Sequence, residues 1–135
     1  MYYSNDVKKR LDDILKAFKD YIDGQSCFDI VYSPKIGYIK FLVDQPGVEE
    51  PEVINTPKDL LGILFNEIIN DVRFSPDNPQ KEHIHLTLTE YEEAESRHRI
   101  TTILEQIEGG GAEYVDFLNE YIKDYQKRCS KSDDL

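Results

Sequence analysis

Three histidines fall within sixteen residues, His83, His85 and His98, and the last closes the motif Glu95-Ser96-Arg97-His98. On a helix, Glu-x-x-His places a carboxylate and an imidazole on one face, as in carboxylate-bridged dimetal bundles. Glu67 and Asp71, spaced i, i+4, would add oxygen donors. Neutral imidazole with carboxylate suits zinc, manganese or iron. A dimetal bundle, however, needs two such motifs and two further glutamates on facing helices, and this sequence has one motif. His83 and His85 point the same way only if their stretch is a strand. A metal site built from His83, His85, Glu95 and His98 is therefore the alternative reading, set against surface histidines beside an acidic helix start.

Other chemistry leaves fewer marks. Gly109-Gly110-Gly111 follows a helical pattern and precedes Ala112-Glu113. Phosphate-cradling glycines follow a strand and open a helix, and here an acid stands where the phosphate would sit. These glycines read as a helix stop. Cys27 begins a strand pattern, Cys129 lies in a polar tail, and no Gly-x-Ser-x-Gly is present. The residues thus nominate no catalytic group and no cofactor. Two cysteines are too few for a disulfide framework, and the N-terminus lacks the apolar core of a signal peptide, so a cytoplasmic setting is expected.

Charge is the strongest compositional feature. The 135 residues carry a net charge of −11, which repels nucleic-acid phosphates and anionic membranes. Residues 44–95 hold 13 acids against Lys58, Arg73 and Lys81, a net −10. Glu49, Glu50 and Glu52 form one cluster and Glu90, Glu92 and Glu93 another. Negative faces steer basic partners and raise association rates. The leading expectation is a non-enzymatic interaction or inhibitor module that meets a basic protein partner, without nucleic acid or membrane. The bland alternative is a solvated face serving solubility.

The elements that must position these residues are legible from period and punctuation. Val7, Leu11, Ile14, Leu15, Phe18 and Ile22 make one helical stripe, with Ser4 or Asn5 as cap and Gly24 suited to a left-handed position past its end. Lys8–Asp12, Lys9–Asp13 and Lys16–Asp20 are spaced to pair on its outer face. Residues 27–43 then read as a hairpin turning at Ser33-Pro34-Lys35, with Gly37 available for a bulge. In its second strand Ile39, Phe41 and Val43 face one way and Tyr38 and Lys40 the other, which predicts one covered and one partly wet face. A third strand is expected at Glu52-Val53-Ile54.

Thr56-Pro57-Lys58-Asp59 signals a helix start. The wide apolar arc that follows, from Leu60 to Val72, predicts the central core helix, with Gly62 permitting close packing. Prolines 76 and 79 break it, and His83–Leu86 is either extended or loop. Thr87-x-x-Glu90 and Thr89-x-x-Glu92 both match a capping box, placing the next helix start near 88–90 and its apolar run through Ile107. A last helix carries Tyr114, Phe117, Leu118, Tyr121, Ile122 and Tyr125 on one stripe. That stripe suits a core face, or a homodimer face because it is rich in tyrosine.

The pattern predicts an α+β fold: an N-terminal helix, a two- to three-stranded antiparallel sheet including the hairpin 27–43, and three helices packed on it. Residues 1–127 are expected to form a single domain and 128–135 a polar, frayed tail.

Overall fold

The computed structural model describes residues 2–43, 51–79, 87–107 and 111–133, with side chains described through Lys127. Along the chain lie α1 (Asn5–Asp23), β1 (Phe28–Ser33), β2 (Gly37–Leu42), β3 (Glu52–Ile54), α2 (Pro57–Arg73), α3 (Glu90–Leu104) and α4 (Gly111–Asp133). This is the α+β order expected, with the third strand present. The stretch His83–Leu86 lies outside the described residues. The chain divides into two compact units, residues 1–61 and 62–135, the division falling within α2.

In the first unit, Ser4 caps α1 by accepting from the Val7 N–H at 3.2 Å. Lys8–Asp12 and Lys9–Asp13 pair at 2.8 and 2.9 Å, as their spacing dictates. Gly24 ends the helix in a right-handed conformation (φ −78°, ψ −8°), not the left-handed one expected of a terminal glycine. Its N–H bonds back to the Asp20 carbonyl at 3.1 Å and the Gln25 N–H to the Ile22 carbonyl at 3.0 Å, so the last turn closes without a reversal. The inner stripe of Leu11, Ile14, Phe18 and Ile22 is buried.

The sheet is antiparallel in the order β1-β2-β3. Ladder partners share a face. Phe28 pairs with Leu42, Ile30 with Lys40, and Tyr38 with both Tyr32 and Ile54. This is the covered face: Phe28 and Ile54 are buried, and Tyr38, Tyr32 and Phe28 meet Lys8, Asp12 and Tyr21 of α1. The alternation along β2 is as its sequence predicts. The covered side, however, is that of Tyr38 and Lys40, and the more apolar stripe of Ile39 and Phe41 faces away. Polarity is no bar to burial here: the Tyr38 hydroxyl bonds to Asp12, and the Lys40 ammonium lies 5.5 Å from the centre of the Phe28 ring.

Thr56 and Asp59 cap α2 reciprocally: the Asp59 N–H donates to the Thr56 hydroxyl at 3.1 Å and the Thr56 N–H to the Asp59 carboxylate at 3.2 Å. Leu60 and Leu61 are buried in the first unit. Leu64, Phe65, Ile68, Ile69 and Val72 are buried in the second. In that unit Phe65 meets Phe117 and Tyr121 of α4, each with ring centres 5.7 Å apart. Such pairs add about 0.5–1.5 kcal/mol each beyond area burial. A Cβ on Gly62 would stand 3.8 Å from the Tyr121 ring, an ordinary contact, so glycine is not required there.

The start of α3 follows its second capping signal. Thr89 is the N-cap, its hydroxyl accepting from Glu92 N–H while the Glu92 carboxylate accepts from Thr89 N–H at 2.9 Å. The helix ends at Leu104, earlier than its apolar run suggests. Ile107 is still buried, in a turn whose N–H reaches the Leu104 carbonyl at 3.1 Å. Glu92 is itself buried, 3 % exposed, and its other oxygen accepts from the Asn78 amide at 2.7 Å. Asn78 also donates to the Arg73 carbonyl, and Arg73 donates to the Tyr125 hydroxyl at 2.8 Å. Gln126 closes the set by accepting from the Leu88 N–H and donating to its carbonyl, at 2.8 and 3.2 Å. One polar network thus joins the end of α2, the start of α3 and α4.

Removing the Glu92 carboxylate takes one acceptor from the Asn78 amide and the side-chain acceptor from the Thr89 N–H, in a buried site. Glu92→Ala is expected to cost about 2–3 kcal/mol of stability. Ser96, one turn along α3, is buried, and its hydroxyl has no hydrogen-bond partner among the described residues. Ser96→Ala therefore raises stability by roughly 0.5–1 kcal/mol. Urea unfolding followed by circular dichroism measures both, and the two shifts should have opposite signs.

Candidate interaction surface

The residues nominated from the sequence do not assemble into one site. Glu49, Glu50, His83 and His85 lie outside the described residues. Glu52 belongs to the first unit, where it is exposed on β3 opposite Lys40. Glu90, Glu92 and Glu93 belong to the second. Glu90 is exposed, and Glu93 lies 3.7 Å from Arg97 of the same helix. Glu92 departs from any exposed negative face, because its carboxylate serves the cap of α3 and the Asn78 amide. His98 is exposed, and the Glu95 carboxylate is paired to Arg99 at 2.9 Å. Among the described residues, no three His, Cys, Asp or Glu side chains group to hold a metal ion. The metal reading therefore gains no support. The tyrosines of α4 turn inward within their unit: Tyr114 is buried, Tyr121 packs on Phe65, and Tyr125 bonds to Arg73.

Two arrangements that the sequence did not single out stand in the first unit. On the covered face of the sheet, Lys8 lies over the rings of Tyr32 and Tyr38, 4.6 and 5.1 Å from their centres. Its ammonium touches both Asp12 oxygens at 2.8 Å and donates to the Tyr38 hydroxyl at 3.1 Å. The pair with Asp12 is the main reason the Lys8 pKa is pushed up to about 12. The Tyr38 hydroxyl is raised by burial first, then by its bond to Asp12. Tyr3 stacks on Tyr38 and is likewise raised, mainly by burial. A tyrosine held above its ordinary pKa is a poor general base. The cluster binds α1 to the sheet.

The other face of the sheet carries exposed apolar side chains among the described residues. Val31, Ile39 and Val53 are cross-strand partners, one from each strand, and form a row across all three. Val31 is 43 % and Val53 42 % exposed, with Ile39 and Phe41 half-buried beside them. Scattered apolar residues at a surface are ordinary, but a contiguous row in ladder register is not scattered. The β1 edge next to this face is blunted: the Asp29 carboxylate accepts the Ile30 N–H at 2.8 Å. On the alternation of the ladder, that N–H is one that points away from β2. The face offers side chains more readily than the edge offers backbone. A row of β-branched residues in water carries no chemistry of its own, but it can bury apolar area against another protein.

Comparison of the chain with family models, with curated proteins and with solved structures finds no match. Any functional reading therefore rests on the chain's own residues.

The Lys8 cluster has a pH signature. Lys8, Tyr38 and Tyr3 all have raised pKa values in the folded state, so folding favours their protonated forms. The stabilisation is whole below the ordinary tyrosine value of 10.0 and is lost as pH rises through the folded values. Stability is expected to fall in alkali above about pH 10, with Tyr3 and Tyr38 ionising above the ordinary tyrosine value. Ultraviolet titration of phenolate in the wild type, Tyr3→Phe and Tyr38→Phe checks this. If removing either tyrosine takes away an early-titrating component, the assignment is wrong.

Proposed function

We propose that this protein is a non-enzymatic interaction module that binds another protein through the open sheet face of its first unit. The acidic stretch 44–95 biases that choice toward a basic partner. The observation that carries the reading is the row Val31–Ile39–Val53, left accessible although it runs in register across every strand. Burying such a row gains roughly 25 cal/mol per Å² of apolar area, a gain the isolated unit forgoes. The charge distribution supplies orientation: a net −10 over 44–95 attracts cationic surfaces and speeds encounter, while apolar contact sets residence time. Of the clustered acids, Glu52 and Glu90 are exposed and Glu93 is half-buried, whereas Glu92 is buried. An inhibitor that covers a basic enzyme is one form such a module takes.

Affinity capture at low salt, followed by titration of the recovered partner, tests the reading. A basic partner should bind the wild type and lose at least tenfold in affinity to Val31→Lys/Val53→Lys. Glu90→Lys/Glu93→Lys should slow association and flatten its salt dependence, with a smaller change in dissociation. Circular dichroism confirms that the variants fold. Binding that is unchanged in both double variants rules the reading out.

A further inference from the structure

The third strand is held by a side chain from the start of the chain. Residues along β2 alternate in the direction of their backbone groups. The Val43 N–H bonds to the Cys27 carbonyl at 2.8 Å, so the odd-numbered residues of β2 address β1, and Tyr38 and Lys40 address β3. Tyr38 and Ile54 are opposite one another. On this register the Tyr38 N–H and the Ile54 carbonyl face each other. Here the Tyr3 hydroxyl joins them: it accepts from the Tyr38 N–H at 2.7 Å and donates to the Ile54 carbonyl.

The surroundings are shaped for that insertion. Tyr3 is buried and stacked on the Tyr38 ring, with centres 6.2 Å apart. Tyr2 packs edge-on against Tyr3 and donates to the Asn55 side chain at 2.8 Å, just past the end of β3. Gly37 opens β2 at φ +83°, and a Cβ there would stand 2.6 Å from Tyr3 Cζ and 2.9 Å from Tyr2 Cδ1. Glycine thus serves both the turn and the passage of the tyrosine ring. β3 itself has only three residues, pairing with Tyr38, Ile39 and Lys40.

We propose that β3 is a latched strand, whose pairing with β2 depends on the Tyr3 hydroxyl. Opening the latch frees the β3-facing edge of β2 while α1 and the β1–β2 hairpin stay folded. That edge has backbone donors and acceptors at Tyr38 and Lys40, and an extended segment of another chain could pair with them. β3 also carries Val53, so the latch governs whether the open row is complete. This last consequence rests on the interaction reading, whereas the latch itself is read from amide exchange alone.

Site-resolved amide hydrogen exchange on the full chain provides the test, comparing wild type with Tyr3→Phe and with Tyr2→Phe as control. In Tyr3→Phe the Tyr38, Lys40 and Ile54 amides should exchange at least about tenfold faster, while Ile39 and Phe41 keep their protection. Tyr2→Phe, which removes only an exposed bond to Asn55, should leave all five nearly unchanged. Because neighbours on one strand report on different partners, the pattern separates release of β3 from general loosening. Unchanged exchange in Tyr3→Phe would mean that β3 closes directly onto β2, and equal acceleration at Ile39 and Phe41 would mean that Tyr3 stabilises the whole unit. Either result overturns the proposal. Should Tyr3→Phe fold poorly, the wild type's own hierarchy decides: Lys40 and Ile54 must open at lower cost than Ile39 and Phe41.

Discussion

A three-stranded sheet has two faces, and the first unit has one long helix to cover them. α1 meets the face of Phe28, Tyr38 and Ile54, which leaves Val31, Ile39 and Val53 on the other side. Much else in that unit follows from this constraint. The covered face must accept residues of mixed character, because β2 supplies Tyr38 and Lys40 there. It does so by pairing their polar ends with Asp12, Lys8 and the ring of Phe28. The open face keeps a row of apolar side chains in contact with water, a cost that association with another protein would relieve.

Polar groups settle the joints in both units. In the first, the Lys8–Asp12–Tyr38 cluster fixes α1 on the sheet, and the Tyr3 hydroxyl ties the last strand. In the second, Glu92 joins the α3 cap to Asn78, with Arg73, Tyr125, Leu88 and Gln126 completing the links between helices. Hydrophobic burial supplies most of the stabilisation but is indifferent to small shifts of position. Hydrogen bonds with fixed lengths and angles are not, so partnered polar groups are where register is chosen. A buried carboxylate such as Glu92 is tolerable only because each oxygen has a donor.

How far the sequence could be read differs by type of signal. Helix starts were legible wherever a capping residue and its partner lie three positions apart, as at Thr56 with Asp59 and Thr89 with Glu92. The hairpin and third strand were legible from β-branched runs between turn residues. Legibility failed where meaning depends on what lies across from a residue. Glu92 is legible as the capping-box partner of Thr89, but that its carboxylate is buried depends on Asn78 and Arg73, which lie across from it. Tyr3 carries one local hint, an aromatic just before a helix cap. Its hydrogen-bond partners Tyr38 and Ile54 lie 35 and 51 positions away.

What the sequence determined by itself is therefore local: the elements and their order, the caps, the alternation along β2, and the concentration of negative charge in 44–95. These follow from interactions spanning a few residues, or from plain counting of charges. The tertiary structure decided which face of the sheet is covered, which glutamate is buried and what holds β3. Period two divides the side chains of a strand into two sets but carries no label for the inner one. That label comes from the helix that arrives over the sheet, and from the polar groups it brings to satisfy whatever it covers.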